Sequence, residues 1–225
     1  MTLILTNDDG IDAPGILALS QAVQGKGVIV APKEHHSGCG HQITAYNPIH
    51  VEKRSATVFA VGGTPADCTR LGLTHLHPQA EWVLSGINAG GNLGVDAYIS
   101  GTVAAVREAA MLGFKAIAFS HWIKRPLEID WQLASLWTAD VLEKLWTLPL
   151  PAKHFWNVNL PHLEKGLPTP EIVFCEPSTD PLPVAYEIDG ESYRYRGEYA
   201  KRDRTLGTDV DICFSGKIAI TQLRV

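Results

Sequence analysis

Short apolar segments alternate with amphipathic segments through about the first 120 residues of this chain. The apolar segments have the length and composition of buried strands and lie at residues 3–6, 28–31, 58–61, 82–87 and 115–120. The amphipathic segments predict helices over residues 13–23 and 102–112, and another helix that begins at Pro65 with Thr64 as its N-cap. Strands interleaved with helices indicate an α/β fold with a mostly parallel sheet flanked by helices. In such folds, ligands bind at the carboxyl ends of the strands.

The second half of the chain is less regular. Apolar residues at helical spacing predict a helix over residues 129–145, and residues 155–160 form a further predicted strand. The region from there to Arg204 is rich in Pro, Tyr and charged residues and has no helical periodicity. We predict a C-terminal β-hairpin formed by residues 211–214 and 218–223, which are separated by Ser215-Gly216.

Composition narrows the class of protein. Hydrophobic residues make up 45% of the chain and charged residues 19%, which is typical of a folded globular protein and not of a disordered one. We expect one domain over residues 1–225, with a core to about residue 147 and a remaining core strand and hairpin over about 155–225. The net charge of −5 and the scattered Lys and Arg residues supply no basic face, so we expect no nucleic-acid polymer as a partner.

The sequence also bears on location. No apolar run reaches the roughly 18 residues that a membrane span needs, and Met1 leads directly into the first predicted strand. The four cysteines are far apart and lack C-x-x-C spacing, as is typical of reduced thiols. We therefore predict a cytoplasmic protein without a membrane partner.

Two adjacent carboxylates, Asp8 and Asp9, follow the first predicted strand directly. Adjacent side chains on a continuing strand point to opposite faces, so both can serve one site only if the backbone turns, which Gly10 makes easy. The position suits a site for a hard cation. The alternative is a structural turn with Asp9-Gly10 at its apex.

A glycine-rich loop, residues 85–94, follows another buried strand. Its glycines allow a ligand to approach the backbone closely, and Asn88 and Asn92 offer carbonyl oxygens to a metal and amide donors to a phosphate. The alternative is a flexible loop in which Asn is selected for left-handed turns. A loop that joins an apolar strand to a helix N-terminus favours the functional interpretation.

Ser100, Gly101 and Thr102 open the helix after this loop. Small residues at a helix N-terminus expose N–H groups at the positive end of the helix dipole and so form a site for phosphate. Ordinary N-capping by Ser100 or Thr102 is the alternative, and it is compatible with anion binding. The segment is not a Walker loop, because no Gly-Lys-Ser/Thr follows.

Three histidines, His35, His36 and His41, lie in the loop after the second strand. They indicate either a polar rim around the site or a zinc site. We favour the rim, because the helical H-x-x-x-H spacing of persuasive zinc sites is missing. His121 has no such neighbours in the sequence and is interpreted as structural or exposed.

Five ordered motifs give the chain a resemblance to the SurE family of survival proteins, which are 5′/3′-nucleotidases. The matching segments are residues 4–15, Ala31-Pro32 with Ser37-Gly38, residues 63–68, residues 85–94 and residues 100–105. Weaker matches at residues 157–161 and at Thr208-Asp209 extend the resemblance over nearly the whole chain. Gly91 stands where the family often has Pro, His35-His36 precede Ser37 in place of the usual Asn, Gln or Arg, and Gln222 replaces a common Pro.

The resemblance implies a Rossmann-like core and one divalent cation per subunit, Mg²⁺ or Mn²⁺. It implies that Asp8, Asp9, Ser37 and Asn88 hold the metal, and that Asn92 and residues 100–102 contact the phosphate. It further implies a homodimer or homotetramer in which C-terminal elements are exchanged.

The implied reaction is hydrolysis of nucleoside 5′- and 3′-monophosphates to nucleoside and phosphate, with short polyphosphate as a further substrate. Asp8 and Asp9 are the expected catalytic residues. Two routes stay open: attack by a water molecule oriented in the site, or direct attack by Asp8 to give an aspartyl phosphate. A different class of function is also open, in which the same loops form a nucleotide sensor that binds without turnover.

Overall fold

The computed structural model describes residues 1–164 and 166–225. Its strands are β1 (Leu3–Thr6), β2 (Val28–Pro32), β3 (Val51–Lys53), β4 (Val58–Val61), β5 (Trp82–Ala89), β6 (Lys115–His121), β7 (His154–Leu160), β8 (Ile172–Phe174), β9 (Tyr186–Asp189), β10 (Ser192–Tyr195) and β11 (Ile218–Arg224). Its α-helices are α1 (Pro14–Ala22), α2 (Pro65–Leu71), α3 (Gly101–Met111), α4 (Trp131–Leu145) and α5 (Asp209–Phe214). The strands and helices predicted before residue 161 are confirmed, with ends that differ by up to two residues. The strands β3, β8, β9 and β10 and the helix α5 were not predicted.

Nine strands form one sheet in the order β3-β4-β2-β1-β5-β6-β7-β11-β8. The six strands from β4 to β7 run parallel, and β3 and β11 are antiparallel to β4 and β7. The predicted mostly parallel α/β sheet is therefore confirmed. From β1 the chain adds β2 and then β4 on one side of the sheet, and it then adds β5, β6 and β7 on the other side. The direction of strand addition therefore reverses between β1 and β5. In open α/β sheets, the carboxyl ends of the strands at such a switch point are where ligands bind.

The two faces of the sheet are covered by different helices. On one face α1 and α4 bury Leu19, Ala134 and Trp137 against sheet residues that include Leu84 and Phe119. On the other face the apolar side chains of α2 and α3, among them Cys68, Val103 and Val106, pack against Ile4 and Val83. Both faces of the central strands are buried beneath helices, which explains the continuous apolar sequences of these strands. None of the helices in the described ranges is both long and apolar enough to cross a membrane.

The predicted location of the C-terminal hairpin is wrong. An antiparallel hairpin exists, but it is formed by β9 and β10. The segment at 211–214 belongs to α5, because Val210 and Cys213, three residues apart, share one buried face that packs on Leu93 and Trp122. The segment at 218–223 lies in β11, which joins the main sheet between β7 and β8.

Candidate metal and phosphate site

The loop after β1 turns sharply at its two aspartates. The Asn7 side chain donates a hydrogen bond to the Gly10 carbonyl over 2.7 Å, and Gly10 has a φ of +102°, which glycine adopts without strain. The backbone N–H of His36 donates to the Asp8 carbonyl over 2.7 Å. This contact holds the loop after β2 against the loop after β1, and it brings Ser37 to the site.

Asp8 is buried beneath the N-terminus of α3. Its side chain accepts a hydrogen bond of 2.5 Å from the Thr102 hydroxyl. A Cβ on Gly101 would lie 2.8 Å from the Asp8 Cβ, so only glycine permits this close approach. Burial raises the pKa of the Asp8 carboxyl to about 6; the hydrogen bond from Thr102 opposes the rise, and repulsion from Asp9 adds to it.

Asp9 is held differently from Asp8. Its Oδ2 accepts a hydrogen bond of 3.0 Å from the backbone N–H of Ala89 at the end of β5. Its Oδ1 lies 3.6 Å from Nδ1 of the exposed His35. Asp9 therefore connects the end of β1 to the end of β5.

The two asparagines of the glycine-rich loop occupy different surroundings. Asn88 is partly exposed and donates from Nδ2 to the Gly90 carbonyl over 2.8 Å, which directs its Oδ1 away from that bond. Asn92 is buried and donates from Nδ2 to the Ser120 hydroxyl over 2.7 Å. An amide nitrogen carries two protons, so one donor of Asn92 is left for a ligand.

The N-terminus of α3 shows the N-capping that was one of the two roles the sequence allowed. The Ser100 hydroxyl accepts a hydrogen bond of 3.0 Å from the backbone N–H of Val103, which is ordinary N-capping. The Thr102 hydroxyl donates a hydrogen bond to the Asp8 carboxylate. The sequence analysis did not predict this role for the Thr102 side chain. The N–H groups of residues 101 and 102 lie in the first turn, where an α-helix provides no partner for them.

A cavity of about 240 Å³ lies between these loops. Five of the predicted site residues line it: Asp8, Ser37, Asn88, Asn92 and Ser100. The other three, Asp9, Gly101 and Thr102, do not line it and instead pack around Asp8 or the end of β5. The structure adds Asp96, Ile99, Leu182 and Tyr199 to the wall.

Residues distant in sequence fix the loop that carries Asn92. Arg202 donates to the Asp96 carboxylate over 2.7 Å and to the Leu93 carbonyl over 3.3 Å. Tyr199 donates to the same carboxylate over 2.5 Å. Asp209 accepts the backbone N–H of Gly94 over 2.7 Å. No local pattern in the sequence identifies Asp96, Tyr199 or Arg202, because they meet only through the fold. Asp209 was marked only by the weak family match at Thr208-Asp209.

The three histidines of the loop after β2 do not converge. His35 lies near Asp9, whereas His41 contacts the Glu108 carboxylate at 2.8 Å on α3. Among the residues that the structure describes, no three His, Cys, Asp or Glu side chains form a group that could hold a metal ion. This finding does not bear on the predicted metal ligands, which include only two residues of those types.

His121 has a closer environment than the sequence indicated. It is buried at the end of β6, and its ring lies edge-on to that of His162, with the ring centres 5.0 Å apart. Burial lowers its pKa to about 4. The structural interpretation of His121 is therefore correct, and the exposed alternative is wrong.

The sheet is doubly wound, and carboxylate, hydroxyl and amide oxygens lie with a helix N-terminus at its switch point. This arrangement is typical of the α/β proteins that bind a phosphorylated ligand at the carboxyl ends of their strands. Residues 3–179 match the family model described as "Survival protein SurE". The chain belongs to the SurE family.

Individual relatives agree with this assignment. A Synechocystis sp. protein named as a candidate 5′-nucleotidase is 62% identical over the full length of both chains. A protein of Paramagnetospirillum magneticum named 5′-nucleotidase SurE is 36% identical, with 99% of this chain and 89% of that protein covered. The crystal structure of the SurE protein from Aquifex aeolicus is similar to this structure with a TM-score of 0.86 and 32% identity, covering 100% and 93% of the two chains.

Proposed function

We propose that this protein is a divalent-metal-dependent 5′-nucleotidase, which hydrolyses nucleoside monophosphates to nucleoside and phosphate. The observation that carries the proposal is the convergence of Asp8, Ser37, Asn88 and the N-terminus of α3 on one cavity. The relatives named as nucleotidases support the same activity. They give no support to a sensor that binds nucleotide without turnover.

The donors around the cavity fit a hard divalent cation. Carboxylate, hydroxyl and amide oxygens are the ligands that Mg²⁺ and Mn²⁺ prefer. The raised pKa of Asp8 indicates a buried carboxylate without enough positive charge beside it. Asp8, Asp9, Ser37 and Asn88 would hold the ion. When bound, it would neutralise the carboxylates and polarise a phosphoryl oxygen.

Electrostatics explain why a cation is needed. A phosphate monoester carries a charge of about −1.5 to −2 at neutral pH. Placing it about 5 Å from a carboxylate costs on the order of 3 kcal/mol for each unit charge pair at an effective dielectric constant near 20. Asp8 and Asp9 therefore repel substrate unless positive charge lies between them and the phosphate.

The protein's own groups bind and orient the phosphate. We assign its oxygens to the free N–H groups at residues 101 and 102 and to the remaining amide donor of Asn92. Asp8 and Asp9 are assigned as the catalytic residues. Attack by an oriented water molecule and attack by Asp8 are distinguished by rapid-quench trapping of labelled enzyme, because only the second route leaves phosphate on the protein.

The test is phosphate release from AMP, GMP and an aryl phosphate, with Mg²⁺ and Mn²⁺ supplied separately. We expect release that depends on added metal and stops after chelation. Robust turnover by protein that metal analysis shows to be empty would contradict the metal-dependent mechanism. Nucleotide that stays bound without any phosphate release under either metal would instead support the sensor.

A second prediction separates the two asparagines. Asn92→Ala is expected to raise KM and lower kcat while metal affinity is kept, because we assign Asn92 to the phosphate and not to the metal. Asn88→Ala is expected to weaken metal binding. Calorimetric titration of the metal, beside steady-state kinetics, measures both effects. The assignment is reversed if Asn92→Ala abolishes metal binding and Asn88→Ala leaves it intact.

The finer predictions from the family resemblance are also proposals. Hydrolysis of 3′-monophosphates and short polyphosphate, and a cytoplasmic location, rest on that resemblance and the sequence pattern. A homodimer or homotetramer is supported by the hairpin β9–β10, whose Tyr186, Ile188, Tyr193 and Tyr195 side chains are exposed in the single chain. Exposed apolar groups of this kind are typical of a surface that a partner covers.

A further inference from the structure

The loop that carries Ser37 joins β2 to β3 and forms neither helix nor strand over residues 33–50. Ser37 lies in a tight turn, in which the Cys39 N–H donates to the His36 carbonyl over 3.1 Å. Gly38 has a φ of +77°, as the third position of a type II turn requires. The position of Ser37 at the cavity therefore depends on how the two ends of this turn are held.

The two ends of the turn are held by different elements. On the first side, the His36 N–H donates to the Asp8 carbonyl over 2.7 Å. On the second side, Gly40 has a φ of +58°, and its N–H donates to the Ile99 carbonyl over 3.1 Å. Glycine gives this side of the turn more conformational freedom than any other residue would. The next side chain along the loop, that of His41, reaches the middle of α3.

His41 contacts Glu108 of α3 over 2.8 Å between Nε2 and Oε2. The two side chains are 21% and 5% exposed, so water competes little for the contact. The hydrogen bond from His41 lowers the pKa of the Glu108 carboxyl; burial opposes this effect, and Arg70 adds to it. An ionised carboxylate only accepts hydrogen bonds, so Nε2 of His41 carries the proton. Hydrogen bonds to an ionised acceptor are the stronger class.

The Glu108 carboxylate has a second partner. Its Oε1 accepts a hydrogen bond of 2.7 Å from Nε of Arg70 on α2. Removal of the His41 side chain would therefore not leave a buried charge unpaired, which is the change that costs most in a protein interior. The fold should survive the loss of His41, so its effect on the loop can be measured separately.

The helix that holds His41 also contacts Asp8. Gly101, in the first turn of α3, packs so closely on Asp8 that a Cβ there would lie 2.8 Å from the Asp8 Cβ. Glu108 lies about two helical turns further along, on the same face of α3 as Gly101. One helix therefore sets the position of Asp8 and, through His41, that of the loop of Ser37.

We propose that His41 is a positioning residue: its hydrogen bond to Glu108 fixes the loop after β2 on α3 and so places Ser37 for the divalent cation. The inference rests on the proposed function, in which Ser37 is a metal ligand. We assign His41 no contact with the metal or the substrate.

His41→Ala tests this role in metal-free protein that is titrated calorimetrically with Mn²⁺ alone. We expect the Kd for Mn²⁺ to rise about tenfold, the lower end of the effect of removing a group that orients a metal ligand. The Mn²⁺ concentration for half-maximal phosphate release should rise by the same factor. The kcat at saturating Mn²⁺ should be retained, because Asp8, Asp9 and Asn88 are unchanged. His41→Gln should restore most of the affinity, since its amide can donate to Glu108.

His50→Ala is the matched control, because His50 is an exposed histidine at the far end of the same loop. It should change neither the affinity for Mn²⁺ nor kcat. His41→Leu fills much of the volume of His41 without offering a donor, and it should reproduce the effect of His41→Ala. If thermal unfolding shows that the alanine variant is misfolded, the leucine variant decides.

A double-mutant cycle tests whether His41 acts through Ser37. Ser37→Ala should weaken Mn²⁺ binding, and addition of His41→Ala should then have little further effect, because the ligand that His41 places is already absent. Additive losses, or an unchanged Kd in either folded single variant, would overturn the inference and leave the nucleotidase proposal intact. An unmodified protein that binds no divalent metal and releases no phosphate from AMP would contradict the proposed function itself, and the inference with it.

Discussion

Asp8→Asn is expected to lower phosphate release by two to three orders of magnitude, roughly the scale on which removal of one preorganised electrostatic contact acts. The substitution keeps an oxygen that can accept the hydrogen bond of the Thr102 hydroxyl. It removes the negative charge that we propose Asp8 supplies to the cation. Loss of activity should therefore occur without loss of the local structure.

The metal-free protein should tolerate this substitution or gain stability from it. The folded-state pKa of Asp8 is raised from 3.8 to about 6, so the folded state binds more protons than the unfolded state between those two values. The free energy of unfolding therefore falls as pH rises through this window, by on the order of 3 kcal/mol from this group. Asn at position 8 should remove this pH dependence. It should also remove the destabilisation that the buried, charged carboxylate causes above about pH 6.

Asp9→Asn should also abolish most activity, but its effect on stability differs. Asp9 accepts the Ala89 N–H, and a neutral amide oxygen accepts that bond more weakly than a carboxylate does. We expect a cost of about 1 kcal/mol in the metal-free protein. The measurements are thermal unfolding in excess chelator at several pH values, and phosphate release at saturating metal.

Asp12→Asn is the control for both substitutions. Asp12 lies in the same loop, but its side chain is 77% exposed and pairs with Arg54 at the surface, so activity should be kept. A clear drop in the midpoint of metal-free Asp8→Asn with activity largely retained would mean that Asp8 is a structural turn residue. The metal assignment would then be wrong.

Arg202→Met is expected to lower the free energy of unfolding by about 3–5 kcal/mol, the cost of leaving one charge of a buried ion pair without its partner. The Arg202 side chain is fully buried and that of Asp96 is 7% exposed. Denaturant unfolding measures the loss. Because Asp96 also accepts the Leu93 N–H beside Asn92, KM for nucleotide should rise in parallel.

Lys201→Met is a matched control one residue away. Lys201 pairs with Glu198 at the surface, where the two side chains are 72% and 66% exposed, so its loss should cost at most about 1 kcal/mol. Adding Asp96→Asn to Arg202→Met should recover part of the loss, because it removes the unpaired charge. Equal, small effects at positions 201 and 202 would show that the buried pair does not stabilise this part of the fold.

The elements that the sequence predicted share one property: their signals are local. The Thr64 and Pro65 start signal predicted α2, and the capping box between Thr64 and Asp67 is present in the structure. The apolar strand followed by Asn7 likewise predicted where β1 ends, whereas β5 continues to Ala89, two residues beyond its predicted end. Since the carboxyl ends of parallel neighbours meet at one edge, the location of the candidate site follows from the sequence pattern.

The errors arise where local signals are weak. The segment at 211–214 contains residues that suit either a strand or a helix, and only burial of Val210 and Cys213 against Leu93 and Trp122 selects the helix. The strand β8 has three residues, too few for a periodic pattern. The hairpin β9–β10 is exposed on the single chain, so no apolar face marked it.

The sequence by itself determined the α/β class, the order of the central elements and the candidate site residues, because periodicity, capping and the family motifs all act over short stretches of chain. Only the tertiary structure decided how those residues are held. Thr102 reaches Asp8 across 94 positions, and Arg202 reaches Asp96 across 106. Contacts of this kind depend on sheet order and helix packing, which bring together residues that share no pattern in the sequence.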